Sequence, residues 1–160
     1  GGRAAAAPRV VAGDWALTED RPGKPGWIAT EPGSVLEFDL AFGPSPYATV
    51  VYVNSYEGFG RAFLEMSGSK NRVPLEAYHA QPVTTSAAIH LDVHKDFLAN
   101  HVNDGQDFLA NHVSKAGFGV PKFGNATLRV AFAGTCRVEA SDPPCKFKII
   151  AVTVTTSAAR

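Results

Sequence analysis

The nine residues Ser34–Phe42, SVLEFDLAF, decide the fold class, because they alternate at period two along their whole length. Val35, Glu37 and Asp39 fall on one face, and Leu36, Phe38 and Leu40 on the other. That is the pattern of a strand with one side in a core and the other in water. Downstream, Tyr47–Tyr56 (YATVVYVNSY) is rich in β-branched and aromatic residues and almost continuously apolar around Val50–Val53, which predicts a central strand. RAFLEM, AAIHLDV, ATLRVAFAG and KFKIIAVTVTT predict further strands, and RPGKPG, EPGS, GPSP, EGFG and SGSKN supply turns between them.

Outside one repeated segment no stretch carries a helical period with caps. Strands spaced by about 10 to 15 residues without intervening helices pair antiparallel in two packed sheets. The expectation is an all-β, antiparallel β-sandwich of jelly-roll type over residues 9–156. Residues 1–8 (GGRAAAAP) and 157–160 are expected as flexible tethers on composition.

With 160 residues, 45% hydrophobic and 19% charged, the chain has the makings of one domain with a real core. Fifteen basic and fifteen acidic side chains cancel, which removes the electrostatic case for nucleic acid or an anionic membrane surface as partner. No apolar run approaches the 18 or so residues of a membrane helix. The sequence begins at Gly1, and GGRAAAAP lacks the basic flank and apolar centre of a signal peptide, so it reads as what remains after either a signal peptide or a larger precursor is cut. Cys136 and Cys145 bracket an Asp-Pro-Pro turn signal, and flanking strands would let them close a small disulfide loop; two free buried thiols are the alternative. Asn125 opens the N-glycosylation acceptor Asn-Ala-Thr. Together these features favour the secretory pathway or the extracellular space.

Residues 96–113 contain DFLANHV twice, at an interval of eleven. A continuous helix would stack His101 beneath His112, but the intervening Asn-Asp-Gly is a turn signal. Two copies are also too few for a repeat architecture. The segment near 95–118 is therefore expected as a short helical or irregular insertion, tolerated because loop length costs little free energy.

Candidate chemistry is sparse. His90, Asp92 and His94 share one strand face, but histidines four residues apart on a strand stand roughly 13 Å from each other, too far to share one metal. No Gly-x-Ser-x-Gly elbow or phosphate-cradling loop is present. No catalytic residue, metal site or cofactor is expected. The aromatics Trp15, Trp27, Tyr47, Tyr56, Phe59 and Tyr78 all sit near predicted turns. Aromatic faces beside carboxylate acceptors suit sugar rings, and Trp15, Trp27, Tyr56 and Glu57 are the candidate ligand-binding residues. For any single tryptophan or tyrosine, burial in the core is the competing reading.

Two longer stretches, GKPGWIATEPGSVLEFDL and VVYVNSYEGFGRAFLEM, resemble the C-terminal β-sandwich module that follows SGNH/GDSL-type hydrolase domains in plant and green-algal proteins. The matching positions are Lys24, Gly26, Trp27, Ile28, Ala29, Thr30 and Gly33; then Ser55, Tyr56, Glu57, Phe59 and Gly60; and finally Lys146–Ile149. The likeness fades between about Ser67 and Gly124, the interval that holds the duplication. It implies an accessory module without the hydrolase's own Gly-Asp-Ser and Asp-x-x-His blocks. The expected function is a non-catalytic, secreted, carbohydrate-associated module that binds glycan or cell-wall polymer. A structural or assembly subunit acting through contacts with other proteins is the alternative.

Overall fold

The computed structural model describes residues 2–42, 47–92, 112–118, 124–134 and 145–155. Twelve strands are formed among them: β1 (Gly2–Ala4), β2 (Arg9–Ala12), β3 (Ala16–Arg21), β4 (Lys24–Ala29), β5 (Val35–Ala41), β6 (Tyr47–Asn54), β7 (Arg61–Met66), β8 (Arg72–Glu76), β9 (Thr85–Asp92), β10 (His112–Gly117), β11 (Asn125–Gly134) and β12 (Phe147–Thr155). They make two sheets. One runs β10-β9-β6-β12-β4-β3 with β1 added beside β12, and the other runs β2-β5-β11-β7-β8. The all-β, jelly-roll sandwich expected from the alternation is the fold.

Each strong alternation is reproduced as burial. In β5 the even residues Leu36, Phe38 and Leu40 are buried while Glu37 and Asp39 look outward. β6 buries Ala48, Val50, Tyr52 and Asn54, and lies between β9 and β12 as a central strand should. Between the sheets Tyr52 stacks on Phe147 with ring centroids 5.6 Å apart, and Leu64, Leu128 and Phe132 close the opposite wall. A sandwich needs both inner faces apolar, and period-two patterning on each strand supplies them.

Three expectations are corrected. Residues 1–8 are not wholly a tether: Gly2–Ala4 pairs antiparallel with Thr153–Thr155, and the Ala5 amide donates to the Val152 carbonyl at 2.8 Å. Of β12, only Phe147–Ile149 pair with β4, so the rest of that flank offers backbone groups to β1. Small residues leave no side-chain signature of such pairing. The insertion near 95–118 ends in a strand, since His112–Gly117 forms β10 beside Ala87–Asp92 of β9. That pairing is parallel, whereas the other strand pairs among the described residues are antiparallel. Residues 93–111, with the first DFLANHV copy and most of the second, lie outside the described residues, as do Cys136 and the tail 157–160. Strands β2, β3, β4 and β8 are the third difference, for none was expected: β2 and β3 bury no residue, β4 carries Pro25 and Gly26, and β8 alternates over only five residues with Pro74 in the middle.

Candidate functional site

The chemistry of this chain concentrates where β12 begins. In Lys146–Ile149 the lysines alternate with Phe147 and Ile149, both fully buried. Lys146 and Lys148 are thereby aimed at the outer face of the larger sheet. There they meet the hairpin of β3 and β4, whose tip is Arg21-Pro22-Gly23-Lys24. The Gly23 amide donates to Glu19 Oε2 at 2.7 Å and secures the turn.

Lys148 is an unusual lysine, with only 5% of its side chain exposed. Its stem crosses directly over Gly26, where an added Cβ would fall 2.6 Å from Lys148 Cε and 2.9 Å from the Ile149 carbonyl oxygen. Only glycine leaves that passage open. Beyond it, Lys148 Nζ donates to Asp20 Oδ1 at 2.6 Å and to the Lys24 carbonyl at 2.7 Å, the pairing that a buried ammonium requires. Lys146 Nζ reaches the other oxygen of Asp20 at 3.4 Å, and also sits 5.2 Å from the centre of the Phe59 ring. Burial pushes the Asp20 carboxyl upward, but hydrogen bonds and charge from Lys148 and Lys146 outweigh it and hold the group below its ordinary range.

Phe59 is brought there by the turn Ser55–Gly60. The Lys146 amide donates to the Gly58 carbonyl at 2.8 Å, and the Gly60 amide donates to the Lys146 carbonyl at 3.1 Å. Ser55 Oγ and Thr84 Oγ1 lie 2.8 Å apart, tying in the segment that leads to β9. These pieces surround an open cleft of about 500 Å3. Its apolar walls are Pro25, Val53, Phe59 and Ile150; Thr84 and Ser86 add hydroxyls; Arg21 and Lys24 stand at the exposed tip. The three stretches that carry the family resemblance, around Lys24, Phe59 and Lys146, are neighbours on this cleft.

The candidate ligand residues are distributed differently. Trp15 is only 3% exposed and belongs to the core, so it presents no ring face to a ligand. Trp27 is half-buried and pairs in register with Ile149, hence it faces the core side of its sheet, opposite Lys148. Proximity to a turn in sequence did not mean exposure, because a thin sandwich draws its largest rings inward. Tyr56 and Glu57 are exposed and hydrogen-bonded to each other through their side chains, which raises the Tyr56 hydroxyl above its ordinary value. They do not line the cleft, although the charge of Arg21 acts on Tyr56.

Asn125 is exposed at the start of β11. Cys145 packs at the edge of the core, while the pairing with Cys136 lies outside the described residues. Among the described residues no group of three or more His, Cys, Asp or Glu is placed to hold a metal ion. His90 instead shares a hydrogen bond of 2.8 Å between Nδ1 and the Thr49 hydroxyl; His94 is outside the described residues.

Asp20, Lys146 and Lys148 were missed in the sequence. Two lysines alternating with two core residues at the head of a strand, opposite a Pro-Gly turn flanked by charges, is the signal that could have found them.

A second polar hub is structural. Asp14 accepts hydrogen bonds from the Thr30 and Glu31 amides at 2.9 and 3.1 Å, from the Thr30 hydroxyl, and from Ser34 Oγ at 3.0 Å. Burial pushes this carboxyl up, yet the donors prevail and bring it down to about 2. Ser34 Oγ in turn accepts from the Asp14 amide at 2.9 Å. Gly13, with φ of +78°, must be glycine on two counts, since a Cβ there would also lie 1.9 Å from Ser34 Oγ.

No protein-family model matches the chain, and no curated protein matches it. Solved structures do. A two-domain esterase active on acetylated mannans is similar at a TM-score of 0.58 and 14% identity, over 94% of this chain and 34% of that one. The same esterase co-crystallised with mannopentaose gives 0.57 and 14%, over 94% and 35%. A CBM35 from Paenibacillus barcinonensis aligns at 0.48 and 15%, over 98% of this chain and 99% of its own. The chain thus spans about a third of the esterase it matches, and what it shares with these structures is the fold.

Proposed function

We propose that the chain is a non-catalytic glycan-binding module and that the cleft beside Lys146 is its binding site. The observation that carries this reading is the cleft's mixed lining. Apolar surfaces at Val53 and the exposed Ile150, with the buried Phe59 ring as floor, suit the C–H face of a sugar ring, while Thr84, Ser86 and the basic groups can meet hydroxyl and other polar substituents. A volume of about 500 Å3 lies in the ordinary range for small-ligand sites. Asp20, the carboxylate within the cleft, is engaged by two ammonium groups and is therefore a poor general base. The fold is also one that accompanies an esterase acting on an acetylated polysaccharide, in agreement with the resemblance to modules attached to SGNH/GDSL-type hydrolases.

Affinity electrophoresis through soluble wall polysaccharides tests the reading. Retardation by at least one polymer is expected, and it should be lost in Ile150→Asp protein, a change at an exposed position of the cleft wall, that still unfolds cooperatively. Migration unchanged in every polymer would overturn it. The reading includes a secreted chain with a Cys136–Cys145 disulfide and a glycan on Asn125. Intact mass of protein from its native source should show a 2 Da gain on reduction, together with glycan mass; an unmodified, reduced chain would remove that part.

One observation favours assembly through protein contacts instead. Val10 and Val11 on edge strand β2 and Leu17 on edge strand β3 are 46%, 50% and 63% exposed. Light scattering at high concentration separates the readings: a monodisperse monomer leaves this one without support.

A further inference from the structure

The sandwich is open along one side. β2 ends the smaller sheet and β3 ends the larger, and only residues 13–15 separate them in sequence. Close to that link, two side chains face the core without being covered by it. Val10 pairs with Leu36 and Leu17 with Trp27, and cross-strand partners share a face, so both point between the sheets. Leu36 is fully buried, yet Val10 is 46% and Leu17 63% exposed. Val11, at the register shift of β2, is 50% exposed. Of the five large hydrophobic residues that are exposed among the described residues, three thus lie on this seam.

The rim of the seam selects what covers it. Its charged groups are engaged within the chain: Arg9 by Glu37 and Asp39, Glu19 by the Gly23 amide at 2.7 Å, and Asp14 by Thr30 and Ser34. A charged partner finds no counter-charge there. A second copy brings the same neutral apolar patch, and a patch on a twofold axis has to match only itself. With a net charge of zero, two copies approach without repulsion. Both strands also carry a register irregularity, between Val10 and Ala12 and between Thr18 and Arg21, which blunts strand addition at an edge. We infer that two copies of this chain associate seam to seam about a twofold axis, through the side chains of Val10, Val11 and Leu17 rather than by joining their sheets. This rests on the assembly reading above and names its partner. It is independent of the glycan-binding reading, because none of the three residues lines the cleft. A stable complex buries roughly 800 Å2 per partner, more than three side chains supply, so the dimer is weak and depends on concentration.

Sedimentation velocity from about 10 µM to about 1 mM, a range that spans weak association, tests the inference. A dimer that grows with concentration is expected. Val10→Lys and Leu17→Lys set like charges against each other across the axis, and each should weaken the dimer about tenfold or more. Both positions are largely exposed, so at low concentration the unfolding midpoints should stay near that of the parent. Tyr56→Ser removes an exposed ring away from the seam and should leave the dimer unchanged. A loss with Tyr56→Ser as large as with the lysines would overturn the inference as unspecific apolar contact. A dimer that survives both lysine substitutions would overturn the seam as interface and leave assembly through another surface standing. A chain that stays monomeric throughout would overturn this inference together with the assembly reading, and the glycan-binding reading would be untouched.

Discussion

At Gly26 a single hydrogen atom decides whether Lys148 can reach its partners. The added methyl of Gly26→Ala would press on the lysine stem, which can shift, and on the Ile149 carbonyl, which cannot without disturbing the β4–β12 ladder. We expect a loss of about 1–3 kcal/mol in chemical denaturation, the usual cost of overpacking. Asp20→Ala removes the counter-charge of an enclosed ammonium and should cost about 2–3 kcal/mol, less than a fully buried pair because Asp20 is 26% exposed. Lys148→Met, which removes the charge along with its need for a partner, should cost less; the reverse order would show that Asp20 does not serve Lys148. Asp14 makes a prediction in pH. Its folded value of about 2 lies below the ordinary 3.8, so the unfolded chain takes up the proton first on acidification. The contribution is complete above pH 3.8 and is lost as pH falls through 2, about 1–2 kcal/mol after solvent screening. Asp14→Asn should flatten that part of an acid-unfolding curve, and an unchanged curve would remove the hub's role.

At the scale of elements, legibility followed burial. β5, β6, β7, β9, β11 and β12 were visible because each buries alternate side chains. β2 and β3 bury none of their residues, so nothing in their side chains records the pairing that backbone groups make. β10 shows a further limit. Its parallel register with β9 needs a connection long enough to travel back along the sheet, typically a dozen residues or more. Residues 93–111 supply nineteen, and the eleven-residue repeat unit is what carries the count past that threshold. Deleting residues 96–106 leaves eight. We expect β10 to leave the sheet in that variant, read as lost hydrogen-exchange protection at Ala116 and Gly117 while β6 and β12 keep theirs. Retained protection would show that the duplication is mere added length.

At the scale of the whole molecule, the cleft joins the β3–β4 hairpin, the Ser55–Gly60 turn, the lead into β9 and the head of β12. Ligand there bridges segments far apart in sequence and binds only the folded chain. At a hundred times its Kd a bound glycan should add about 2.7 kcal/mol and raise the unfolding midpoint by roughly 5–10 °C. No rise at saturation would place the ligand elsewhere. The sequence by itself determined the two-sheet sandwich, because period-two burial is a local property of each strand and survives in any context. It also marked the stretches around Lys24, Phe59 and Lys146 as related, without saying that they touch. Tertiary structure alone decided which aromatics remained outside, sending Trp15 and Trp27 inward and Tyr56 outward. It alone set two lysines against one carboxylate. Those outcomes depend on which strands become neighbours, and pairing between distant strands is written in backbone hydrogen bonds that side-chain pattern does not encode.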